Sequence, residues 1–185
     1  MSSPGDVIAA ICSLLDAAGI TYMIVGSFAS SVHGHPRTTH GLDVVIDPTP
    51  EQLDRWLSAV DERRWYVDPD VAREALARRS MFNVIDSESG WKIDLIVRKA
   101  RPFSVEELSR REAVAIFGIR AQLASAEDTI LSKLEWAKAS GSERQLEDVK
   151  GILRVRGGTI DRDYIDRWAD ALDVAALWRR ASELE

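Results

Sequence analysis

The hydrophobic periodicity of this 185-residue chain changes character once, at Ser125, and that change limits what the chain can fold into. Before Ser125, short β-rich runs alternate with helical segments; after it, apolar residues recur only at helical spacing. Val7, Ile8, Ile11, Leu14 and Leu15 predict a first helix, stopped by Gly19. Thr21–Val25 and Leu42–Ile46 read as short buried strands, with a short helix over Phe28–Val32 between them. Thr49 and Gln52 form a capping box for a helix carrying Leu53, Leu57 and Val60, and a further helix is expected over Val71–Arg79. Phe82–Ile85 and Trp91–Val97 read as a hairpin across Ser87–Gly90. Ser104 and Glu107 suggest a second capping box, and Ala113–Phe117 and Ile119–Leu123 flank Gly118 as two more strands. Beyond Ser125, helices are expected over Thr129–Ala139, Leu146–Val155, Tyr164–Ala171 and Val174–Leu184, with Asp161 and Asp173 as N-caps. The pattern predicts an α+β protein: a mixed sheet flanked by helices over residues 1–124, then a C-terminal helical bundle over 125–185.

Composition narrows the function classes. Hydrophobic residues at 45% and charged residues at 29% exclude bulk disorder. No apolar run approaches the roughly 18–20 residues that span a bilayer, and the first residues lack the basic and apolar regions of a signal peptide, so a cytoplasmic protein with no membrane partner is the simplest reading. Cys12 is the single cysteine, which excludes an intrachain disulfide and a Cys-based zinc site. Beside Ile11 on the first helix, it reads as a small buried hydrophobe. Met23, Ile24 and most of the six tryptophans read as core. A net charge of −6 argues against a protein that coats duplex nucleic acid, while leaving room for a local basic groove that holds an RNA end or a nucleotide.

The stretch VGSFASSVHGHPRTTHGLDVVID, Val25–Asp47, carries the most chemistry. A strand ends at Gly26-Ser27 and a helix begins at once, an arrangement suited to a phosphate; a tight turn that needs glycine for steric reasons alone would look the same. The spacing fits neither a dinucleotide fingerprint nor a P-loop. Asp43 and Asp94 both lie on strands among apolar residues, where an unpaired charge is costly. On neighbouring strands aimed at one phosphate-binding turn they would make a Mg²⁺ site; alternatively, each pairs with an arginine or caps a turn. His33, His35 and His40 hint at a metal hydrolase, but they are the only histidines, and loop histidines beside Gly and Pro are the plainer explanation.

Gly26-Ser27, then Gly34, Arg37, Thr39, a strand bearing Asp43 and a later strand bearing Asp94 resemble the nucleotidyltransferase superfamily of the DNA polymerase beta type. The tail, SAEDTILSKLEWAKAS followed by RQLEDVKGIL, is similar to that of small bacterial members, including abortive-infection type toxins. The resemblance implies transfer of a nucleoside monophosphate from an NTP to an acceptor hydroxyl, with Mg²⁺ as cofactor. It implies that Gly26 and Ser27 hold the triphosphate, that Asp43 and Asp94 bind metal, that Asp94 activates the acceptor, and that Lys133 contacts phosphate. Arg37 meets a phosphate or supports its loop. Lys133 read without the resemblance is a solvated helix residue, and Asp148 is either a family-like acid or an ion-pair partner of Arg144. The acceptor would be an RNA 3′ end, a protein hydroxyl or a small molecule such as an aminoglycoside, and an antitoxin partner is a further implication.

One departure stands out. The family's T-x-D-h-D reads Thr39-His40-Gly41-Leu42-Asp43, so the first acid is replaced by Gly41. Acids at i and i+2 share a strand face and reach one metal pair. Asp47, about 13 Å further along a strand, is too far to stand in. His40 points to the opposite face if the strand already runs there. A naturally degenerate site, an introduced substitution and a different nucleotide chemistry all remain open. Beside the transferase stands a second reading, a catalytically impaired module that binds a nucleotide or a partner.

Overall fold

The structure, a computed structural model, describes residues 3–36 and 41–183. Helix α1 (Pro4–Ala17) opens on a capping box between Ser3 and Asp6, and Gly19 at φ +72° turns the chain into β1 (Thr21–Val25). Helix α2 (Gly26–His33) follows without a linker, and β2 runs over Gly41–Asp47. Thr49 and Gln52 close the expected capping box on α3 (Pro50–Ala59). Next come a two-residue strand, β3 (Trp65–Tyr66), too short to leave a pattern in the sequence, and α4 (Pro69–Arg78). The hairpin β4 (Met81–Asp86) and β5 (Lys92–Val97) follows. Its turn is held by the fully buried Asp86, which accepts from Arg64 Nε at 3.1 Å and from the backbone N–H and hydroxyl of Ser89.

Helix α5 (Pro102–Ser109) corrects the second capping box. Pro102 fits the first helical position, so the helix starts earlier than Ser104. Arg101 takes the N-cap position, and its Nε donates to the Ser104 hydroxyl at 3.0 Å. β6 (Glu112–Ile116) and β7 (Ile119–Leu123) meet at a two-residue turn in which Phe117 and Gly118 both have positive φ, +49° and +79°. Helices α6 (Ala126–Ser140), α7 (Glu143–Arg156), α8 (Arg162–Ala171) and α9 (Ala175–Ser182) complete the order. Asp161 caps α8, but Asp173 does not cap α9. Asp173 sits at φ +56° and accepts from Lys138 Nζ at 2.5 Å, leaving the N-cap position to Val174.

By contact the chain divides into two units, Met1–Ile24 with Thr39–Leu123, and Val25–Thr38 with Ala124–Glu185. The first holds a seven-stranded sheet in the order β3-β4-β5-β2-β1-β7-β6. β2 with β5 and β1 with β7 are parallel; the β3–β4, β4–β5 and β6–β7 pairs are antiparallel. One sheet face buries Leu42, Val44 and Ile46 with Phe82, Val84, Ile93, Leu95 and Val97. Trp56 of α3 meets Phe82 edge-on, ring centroids 6.1 Å apart.

The second unit packs α2 on α6 and α7. Gly34, just past α2, comes so close to α7 that a Cβ there would lie 2.9 Å from Gly151 C and Ile152 N. His33 is buried, not a loop histidine. Its Nε2–H donates to the Ala124 carbonyl at 2.7 Å, leaving Nδ1 to accept from Arg156 Nη2 at 3.3 Å. These bonds explain why α2 groups with the later helices instead of with its neighbouring strands. Among the described residues, no helix is long and apolar enough to cross a membrane.

Candidate active site

Alternation along β2 and β5 decides where the acids go. Leu42, Val44 and Ile46 are buried on β2, as are Ile93, Leu95 and Val97 on β5, so the residues between them share the opposite face. The parallel register sets Asp43 directly beside Asp94, and Gly41 directly beside Lys92. Antiparallel β4 sets Asn83 on the other side of Asp94. Asn83 Nδ2 donates to Asp94 Oδ1 at 2.5 Å, and Lys92 Nζ lies 3.1 Å from Oδ1 and 3.5 Å from Oδ2. The Asp94 side chain keeps 22% of its surface exposed, so this is a half-open face and not a sealed pair. Asp47 lies four residues beyond Asp43 and is held elsewhere, by Arg98 Nε at 2.8 Å and Arg79 Nη1 at 3.9 Å.

The other predicted residues belong to the helical unit. Gly26 takes φ +67° at the start of α2, a conformation L side chains rarely adopt, so glycine is needed for the turn itself. Val25 at the N-cap has no side-chain oxygen to offer the first N–H groups. The Ser27 carbonyl accepts from the hydroxyls of Ser30 at 3.0 Å and Ser31 at 2.9 Å. Lys133 is not on a solvated face. Its ammonium donates to Asp148 at 2.7 Å, with the two side chains only 6% and 12% exposed. Asp148 therefore pairs across two helices with Lys133. Arg37, Thr39 and His40 lie outside the described residues.

Solved structures match this architecture. The crystal structure of ANT(2″)-Ia in complex with adenylyl-2″-tobramycin is similar at a TM-score of 0.62, covering 93% of this chain and 98% of that one at 12% identity. The chain has the nucleotidyltransferase fold. An antigenic nucleotidyltransferase-like protein from Paracoccidioides brasiliensis gives a TM-score of 0.58, with 81% and 75% coverage at 16% identity. The lincosamide antibiotic adenylyltransferase LnuA, lincomycin-bound, gives 0.53, with 80% and 95% coverage at 12% identity. No family model and no curated protein matches the sequence.

On this nucleotidyltransferase fold the resemblance implies a divalent metal pair, which can be tested against the donors present. Two carboxylates lie side by side, Gly41 supplies none, and Lys92 and Asn83 place cationic and amide donors on Asp94. Among the described residues, no group of three or more His, Cys, Asp or Glu side chains is placed to hold a metal ion. Metal ligands must offer lone pairs, and a metal at Asp94 Oδ1 would compete there with the Asn83 amide and the Lys92 ammonium. Among the described residues the face offers two carboxylates, one short of the three acids that the resemblance implies for a metal pair. Lys92 and Asn83 were not anticipated. Lys92 had a signal, since it stands two residues before Asp94 in a strand and must share its face. Asn83 had none, because its place depends on hairpin register.

Proposed function

We propose that this chain binds a nucleoside triphosphate on a nucleotidyltransferase fold without efficient turnover of it. The observation that carries the reading is the β2–β5 register. Asp43 and Asp94 are paired, while the position of the expected first acid is a glycine facing a lysine. In this reading the turn at Gly26 and Ser27 receives the triphosphate through helix N–H groups, as anions are received at helix starts generally. Arg37 and Lys133 are the cations proposed for it; the Lys133 ammonium, paired with Asp148 at 2.7 Å, has three N–H donors and can bridge that carboxylate and a phosphate. Transfer to an acceptor hydroxyl needs concentrated positive charge at the reacting phosphate and a base beside the acceptor. Asp94, with Asn83 and Lys92 directed at it, is poorly disposed to be that base.

The test is calorimetric titration of the four NTPs, paired with an assay of pyrophosphate release across RNA, protein and small-molecule acceptors. Saturable binding of at least one NTP with pyrophosphate at the blank level is expected. Absence of binding for all four contradicts nucleotide recognition, and multiple turnovers contradict the impaired chemistry.

A further inference from the structure

Lys92 stands on the same strand face as the two acids. Its side chain is 52% exposed, yet its ammonium is turned onto a carboxylate 3.1 Å away instead of into solvent. Across β2 its register partner is Gly41, which has no side chain of its own to set beside it. Two carboxylates held side by side at strand spacing repel one another and would repel a triphosphate as well. A cation beside such acids relieves the repulsion, and a metal ion is one way to supply it.

We propose that the Lys92 ammonium is a resident cation at Asp94, held where a divalent metal would otherwise be drawn to that carboxylate. The inference rests on the nucleotide-binding reading for its purpose, but the cation assignment rests on Lys92, Gly41 and Asp94 alone. Three features fit together. Gly41 removes one negative charge, which lessens the demand for metal. It sets no side chain of its own beside Lys92. The Cβ of any larger residue at 41 would come within 3.0 Å of the Lys92 carbonyl oxygen, so the small residue also suits the backbone there. A lysine on a strand is already tethered, so it neutralises the face at any metal concentration. A metal reaching Asp94 must first displace it, which makes the ammonium a competitor of divalent ions.

The experiment is Mn²⁺ binding to the nucleotide-free full chain, followed by electron paramagnetic resonance of the free ion. The wild type is compared with Lys92→Met, Lys92→Arg and the double variant Lys92→Met/Asp94→Asn. Weak binding by the wild type is expected, with about tenfold or greater tightening in Lys92→Met. Lys92→Arg should stay at the wild-type level because it keeps the charge. The double variant should lose the gain. Thermal melts confirm that each variant is folded, and Lys92→Gln replaces the Met variant should it fail. Equal Mn²⁺ affinity in wild type and Lys92→Met, or an equal gain in Lys92→Arg, overturns the proposal. Because no nucleotide is present, failure here leaves NTP recognition standing, and failure of NTP binding leaves this result standing.

Discussion

Cys12 and Tyr22 illustrate how single residues in the sheet unit respond to burial. Desolvation pushes the Cys12 thiol up to about 11 from its ordinary 9.0, and raises the Tyr22 phenol beside it as well. Both groups hold their protons more tightly in the folded chain than in the unfolded one. The Cys12 contribution is therefore fully present below pH 9 and is lost as pH rises through about 11. For Cys12 this amounts to something on the order of 3 kcal/mol. Melting temperature should fall steeply between those pH values, and Cys12→Ala should flatten part of the slope; an unchanged slope would contradict the assignment. The buried Cys12 was legible from its place beside Ile11 on an amphipathic helix. Asp43 and Asp94 were legible as strand acids because alternation is local. The partners of His33, Lys133 and Asp86 were not, since each is fixed by a residue that only tertiary packing brings near.

Helices and strands were readable wherever their signals are local. The Thr49–Gln52 capping box and the Gly19 stop were visible as short residue patterns, and the structure contains both. The Ser104–Glu107 pattern misled because Pro102 favours an earlier start, and β3 is too short to show alternation. The packing of α2 on α7 had no sequence signature at all. It depends on Gly34, where an added methyl would strike the α7 backbone at 2.9 Å. Gly34→Ala should cost about 1–3 kcal/mol by overpacking, lowering the melting temperature by several degrees. Gly158→Ala, with nothing within 4 Å of the added Cβ, is the control and should melt within about a degree of the wild type. Equal melting of the two variants would show that this helix contact does not constrain the fold.

At the scale of the whole molecule, the α+β class and the succession of short strands before helices followed from periodicity. The strand order did not. Parallel pairing of β2 with β5 bypasses β3 and β4, and no local pattern encodes which distant strand a buried edge will choose. That pairing puts Asp43 beside Asp94 and Gly41 beside Lys92, so the candidate site was half legible: alternation places the acids and Lys92 on strand faces, but Asn83 and the pairing of Asp43 with Asp94 depend on register. The likeness to solved structures at 12% and 16% identity shows the same fold carried by very different sequences, and function must be argued from the site. With an ammonium already held at Asp94, nucleotide recognition requires no divalent metal. The most direct test is the dissociation constant of the best-bound NTP, measured by calorimetry with excess EDTA and again with excess Mg²⁺. The account predicts values within about threefold of each other. Binding that weakens by more than about tenfold when the metal is removed would contradict it.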